Sequence, residues 1–175
     1  AGEDLIADLF EELHELHFMR DITAGCEFLL ALLRRVLPSE GIVLHVFDIN
    51  SSAFVVVRTH PRQPKALLYR TADDDGLFRQ VMHQSASVRF NDAGAEDSFR
   101  GGLWPVLDVQ PRFALCGPVK HGGRYLGLIQ LVNPLGDTPF HDSEMNALDY
   151  ICQQFADFVA SRPVVLEVDT VLPPA

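Results

Sequence analysis

His14 and His17 stand three residues apart, a spacing that on a helix would put both imidazoles on one side and within reach of one metal ion. Structural zinc takes four ligands, and no further donor of suitable spacing accompanies the pair, so no metal site is expected. Cys26, Cys116 and Cys152 are odd in number, far apart and set among apolar residues. They suggest neither a disulfide framework nor a CxxC redox pair, and a thiol in an apolar strand, as at Cys116, behaves as a small hydrophobe. Asp73-Asp74-Asp75-Gly76 could gather a cation, but directly before LFRQVMHQ it reads as acids at a helix start. No GxSxG, HExxH or Walker-type loop occurs, and no catalytic residue is assigned; the expectation is a protein that is not an enzyme. Phe90, Phe99 and Trp104 flank or occupy the Gly- and Pro-rich segment 91–112, either as walls of a pocket or as anchors of a loop on a sheet.

A chain of 175 residues, 47% hydrophobic, is long enough for one substantial core and short for two. The net charge of −10, with scattered Lys and Arg, leaves no basic stripe to displace counterions from a phosphate backbone, so nucleic acid is not an expected partner. No apolar run approaches the roughly 20 residues that span a bilayer, so membrane insertion is not expected either. Cysteine usage fits a reducing cytosol, hence a cytoplasmic location. The sequence starts without Met and ends in EVDTVLPPA, a tail with little to pack, which reads as a piece of something longer.

The elements that must position these residues follow from periodicity. Ile6, Leu9, Leu13 and Leu16 recur at three and four residues, as an amphipathic helix over 1–20 requires, and this narrow seam could pack on its own domain or on a second copy. Asp21 or Thr23 caps a second helix ending at Pro38 and Gly41. IVLHVFDI (42–49) and AFVVVRTH (53–60) form a hairpin across Asn50-Ser51-Ser52, and ALLYR (66–70) adds a short strand. SVRF (87–90) is another strand, 91–112 is irregular, and FALCGPVK (113–120) and RYLGLIQLVN (124–133) form a second hairpin, with Pro118 at an edge or irregular position. A long helix starts at Asp142 or Ser143 and runs to about Ala160, with Met145, Leu148, Ile151, Cys152, Phe155 and Val159 on one side.

This order, with Asp92-Ala93, Phe99, Ala114-Leu115-Cys116-Gly117-Pro118, Gly127 to Asn133 and Phe140, resembles a GAF domain, and most closely the GAF modules of cyclic-nucleotide phosphodiesterases and cyclases. The resemblance implies an α+β fold: an antiparallel sheet with long N- and C-terminal helices on one face and a lid loop with a short helix on the other. It implies one domain over 1–163 and a tail or linker over 164–175. Those modules carry an Asn-Lys…Phe-x-x-x-Asp-Glu signature; here Asn133 and Phe140 are kept, while Pro134 replaces Lys and Glu144-Met145 replace Asp-Glu.

The function so implied is a bacterial-type regulatory or sensory module that dimerises, takes a small ligand and signals to a neighbouring domain or protein. Candidate pocket residues are Phe90, Asp92, Phe99, Trp104, Cys116 and Gln130; the candidate dimer seam is Ile6, Leu9, Leu13, Leu16 and Phe155. No cofactor is expected, with a cyclic nucleotide (cyclic AMP or GMP) as the alternative ligand. A further alternative is a free methionine-(R)-sulfoxide reductase, a GAF enzyme with cysteines in its pocket loops, which this chain lacks between Cys26 and Cys116.

Overall fold

The computed structural model describes residues 2–172, and side chains from Ile6 onward. The last three residues of the tail and the side chains of residues 1–5 thus lie outside the described part of the chain.

Six strands form a single antiparallel sheet in the order β3-β2-β1-β6-β5-β4. They are β1 (Ser39–Asp48), β2 (Ala53–His60), β3 (Arg70–Ala72), β4 (Val88–Phe90), β5 (Ala114–His121) and β6 (Arg124–Pro134). Both hairpins turn where Asn, Ser and Gly allow it; Gly122 and Gly123 have φ of 57° and 81° in the second. Pro118 lies beyond Cys116, the last β5 residue that β4 pairs, so its missing N–H interrupts no ladder on that side.

Alternation along the strands sends residues to two separate cores. Ile42, Leu44 and Val46 of β1, with Leu115, Val119, Ile129 and Leu131, meet helices α1 (Gly2–His14), α2 (Ile22–Val36) and α6 (Asp142–Ala160). Val43, Phe54, Val56, Cys116, Leu128 and Val132 face the other way, against α3 (Gly76–Met82) and the lid. Asp21 caps α2 by accepting from the Ala24 N–H at 2.8 Å. The N-cap of α6 is His141, one residue before the expected start, because the Glu144 carboxylate reaches back to the His141 N–H at 2.8 Å.

Three expectations change. The third strand is Arg70–Ala72, not 66–70: Pro64 opens a single helical turn, and Leu68 takes φ of 69°, a left-handed conformation that a strand cannot hold. The segment 91–112 is mostly helical turns, at Ala93–Ala95, α4 (Asp97–Arg100) and α5 (Leu103–Leu107). The tail docks: α7 (Val168–Val171) buries Val171, whose carbonyl accepts from the Arg58 guanidinium at 2.6 Å. Arg58 is itself 7% exposed and pairs with Glu27. Hydrogen bonds from Arg62 first, and from Arg58, hold the Glu27 carboxyl down to about 2.

The proposed dimer seam is taken up inside the chain. Leu9, Leu13, Leu16 and Phe155 are each at most 1% exposed in the helix-side core, because α1 lies along α6. The guanidinium of Arg162, 4.0 Å over the Phe158 ring, donates to the carbonyls of His17 and Met19 and fixes this docking. Of the seam residues described, Ile6 alone remains at the surface, one turn from Phe10, which is 67% exposed; Phe18, in the turn Glu15–Phe18 that follows α1, is also exposed.

Candidate functional site

A cavity of about 490 Å³ opens between the sheet and the lid, within the usual size range for small-molecule sites. Its floor is His45 of β1 and Gln130 of β6, its walls include Phe78, Tyr69 and Trp104, and its mouth carries Arg70, Asp74, Asp75 and Asp97. The strand register explains the floor: Val43 pairs with Gln130 and His45 with Leu128, so the two polar side chains are diagonal neighbours on the lid side. Beside His45 the β1–β2 pairing steps from Leu44–Arg58 to His45–Val56, a bulge that bends the sheet at the cavity.

His45 is 1% exposed and packs edge-on to Phe78 at 5.1 Å. Its Nδ1 lies 3.1 Å from the Leu128 carbonyl. A carbonyl only accepts, so Nδ1 carries the proton and Nε2 is left with a lone pair. Burial pushes the imidazole down to about 4, which keeps it neutral at pH 7. Gln130 is 3% exposed and donates from Nε2 to the Cys116 sulfur at 3.7 Å, leaving Oε1 without a protein partner among the described residues. No fully buried side-chain nitrogen or oxygen there lacks a partner, so the free His45 Nε2 and Gln130 Oε1 are reached from the cavity.

Gly102 stands at the rim with φ of 63° and ψ of −120°, a conformation that suits only glycine, and an added Cβ would come 3.0 Å from the Tyr69 hydroxyl. Asn133 ties the far end of the lid to the sheet. Its Oδ1 accepts from the N–H groups of Arg112 and Phe113 at 2.7 and 3.2 Å, and its Nδ2 donates to the Gln110 carbonyl at 2.9 Å. Phe140 is buried in the helix-side core, and its carbonyl accepts from Arg89. Both residues of the retained signature thus hold the scaffold and stand apart from the cavity lining.

Of the six candidate pocket residues, Trp104 and Gln130 reach the cavity. Phe90, Phe99 and Cys116 sit in the lid-side core, where Phe99 packs on Phe90 at 5.6 Å and on Trp104 at 6.0 Å; they anchor the lid. Asp92 is exposed, outside the lining. The residues missed were His45, Tyr69, Arg70 and the Asp74, Asp75 and Asp97 carboxylates. His45 did carry a signal: it falls between Val43 and Phe47 at an inward position, where a lone polar side chain needs a reason. His14 and His17 find no metal partners, and no cluster of three or more His, Cys, Asp or Glu able to hold a metal occurs among the described residues.

The GAF domain family matches residues 21–160. The chain belongs to the GAF family. No curated protein matches it in sequence. Among solved structures it is similar to the GAF domain of a phosphoenolpyruvate-protein phosphotransferase from Coxiella burnetii, at 17% identity and a TM-score of 0.79 over 92% of this chain and 95% of that one. The GAF domain of an Acinetobacter phosphoenolpyruvate-protein phosphotransferase aligns at 13% identity and 0.72, over 90% and 93%. Free methionine-R-sulfoxide reductase from Neisseria meningitidis, in complex with its substrate, aligns at 14% identity and 0.67, over 87% and 86%. The α+β GAF fold is common to all three. No helix among the described residues of this GAF domain is long and apolar enough to cross a membrane.

Proposed function

We propose that this GAF domain is a regulatory module: it binds a small organic molecule in the cavity under the lid and passes occupancy to a partner domain or protein through its terminal helices. The observation that carries the proposal is the cavity floor, where two nearly buried polar side chains keep acceptor atoms free. A packed core satisfies such atoms internally, whereas a binding site leaves them for a ligand. The GAF neighbours named for a phosphotransferase support a module joined to an effector.

The chain has a single Trp, and it lines the cavity. Ligand entry therefore alters the emission of Trp104 directly. Titration with a fragment set and with cyclic AMP and cyclic GMP is expected to give a saturable change that Gln130→Leu weakens. If no compound produces such a change, the proposal falls.

A sulfoxide-reductase activity has less support. Cys26, Cys116 and Cys152 are all buried, and burial pushes the thiols of Cys26 and Cys116 up to about 12, so no thiolate stands ready at the cavity. For output we propose a homodimer through the exposed apolar side chains of the N-terminal segment, Ile6 and Phe10 on α1 and Phe18 in the turn after it. Sedimentation of Phe10→Glu/Phe18→Glu as a monomer, beside a dimeric parent, supports it; a monomeric parent overturns it.

A further inference from the structure

We infer that the ligand is a cation with N–H donors, an amine or amidine carried on a flat apolar body, and not a phosphate or carboxylate compound. The inference rests on the small-molecule reading of the cavity above and goes on to name the chemistry that the cavity accepts. Its floor supplies acceptors: His45 gives its Nδ1 proton to Leu128, so Nε2 can only accept, and Gln130 presents Oε1. A ligand atom facing them is favoured as a donor, because an acceptor there would oppose two lone pairs on nearly buried side chains.

The mouth carries the matching charge. Arg70, the single cationic side chain of the lining, is neutralised by an ion pair with Asp48, its Nη1 donating to that carboxylate at 3.0 Å and to the Ser51 hydroxyl at 2.6 Å. Asp97 pairs with Arg100. Asp75 accepts from the N–H groups of Leu77 and Phe78, which occupies the start of α3, and Asp74 has no protein partner among the described residues. Neither Asp74 nor Asp75 has a cationic partner there. A phosphate would meet these carboxylates with Arg70 already paired to Asp48 as the lining's one cation, whereas an ammonium or amidinium is drawn in among the Tyr69, Phe78 and Trp104 rings.

The test compares benzamidine, benzamide and benzoate, which share a ring and differ in charge and donors, together with cyclic AMP. Binding to the whole chain is read from Trp104 emission and by calorimetry. Benzamidine is expected to bind about 5-fold or more tightly than benzamide, with benzoate and cyclic AMP weaker still, since a partly desolvated ion pair is worth around one kcal/mol. Asp74→Asn should weaken benzamidine by about 3-fold and leave benzamide unchanged, and Gln130→Leu should weaken both. Saturable binding of benzoate or cyclic AMP at equal or greater strength overturns the charge inference and leaves the sensory reading standing. Benzamidine binding that ignores both substitutions places it outside the cavity and overturns the inference. Failure of all four compounds to bind at millimolar concentration, with native-like melting, overturns the inference, while the sensory reading falls only if the fragment set fails as well.

Discussion

The helix side and the lid side of the sheet draw on alternate residues of the same strands, yet they close in different ways. On the helix side Leu9, Leu13, Leu29, Leu33, Ile151 and Phe155 leave almost no surface, and α2 approaches α6 so closely that Gly25 lies against the Phe158 ring. On the lid side the aromatics Phe54, Phe78, Phe90, Phe99 and Trp104 pack together, but the lid consists of helical turns of four and five residues and spans a cavity floored by His45 and Gln130. Long helices bury continuous stripes, while short turns joined by glycines cover a sheet incompletely. The difference puts the closed core on one face and the open cavity, the proposed ligand site, on the other, and it can be broken from either side.

The largest effect is expected on the helix side. Phe155→Ala removes a fully buried ring that stacks on Phe158 at 6.4 Å and should cost about 3–5 kcal/mol, read as a lower denaturation midpoint at an unchanged slope. An equal loss from Trp104→Ala would erase the distinction between the faces. The next effect belongs to the lid side and depends on pH. The unfolded chain protonates His45 near the ordinary value of 6.5, whereas the folded chain waits until about 4. Between these values the unfolded state holds more protons, so stability rises with pH, and acidification across the interval should remove up to about 3 kcal/mol. His45→Phe should flatten that slope in urea titrations at pH 7, 5.5 and 4.5; a slope left intact would locate the pH dependence elsewhere.

How much of this was legible in the sequence follows the same division. Helix-side elements repeat over 13 to 19 residues, and the resulting stripes in α1, α2 and α6 name their own buried faces. The hairpins were legible from Asn50-Ser51-Ser52 and His121-Gly122-Gly123. On the lid side, α4 and α5 are too short to show a period. Before β3, Leu68 adopts a left-handed φ that its type does not announce. The cavity brings together β1, β3, the start of α3, the lid and β6, a convergence of distant segments that no local pattern encodes. The docked tail is held by contacts from distant residues, the Arg58 guanidinium to the Val171 carbonyl and the Thr23 hydroxyl to the Thr170 carbonyl, so composition alone read residues 164–172 as unpacked.

A smaller helix-side effect tests the close approach itself. Gly25→Ala would overlap the Phe158 ring and should destabilise by about 1–3 kcal/mol, with the aromatic near-UV signal altered as the ring shifts. The same change at Gly76, where an added Cβ meets nothing within 4 Å, provides the control.

The smallest stability effect is the one that separates binding from folding. Gln130→Leu replaces a side chain that keeps one acceptor unpaired in the cavity by an apolar one of similar size. Removing an unsatisfied polar atom from a nearly buried position relieves a desolvation cost, while the lost contact to the Cys116 sulfur, at 3.7 Å, is weak. The melting temperature should therefore stay level or rise, by no more than the equivalent of about 1 kcal/mol, even as ligand binding weakens. A substitution that stabilises the fold and weakens the response would identify Gln130 as a residue kept for function at some expense to the core. If instead Gln130→Leu cost as much as Phe155→Ala, the glutamine would be structural, and the lid side would be a core like the other.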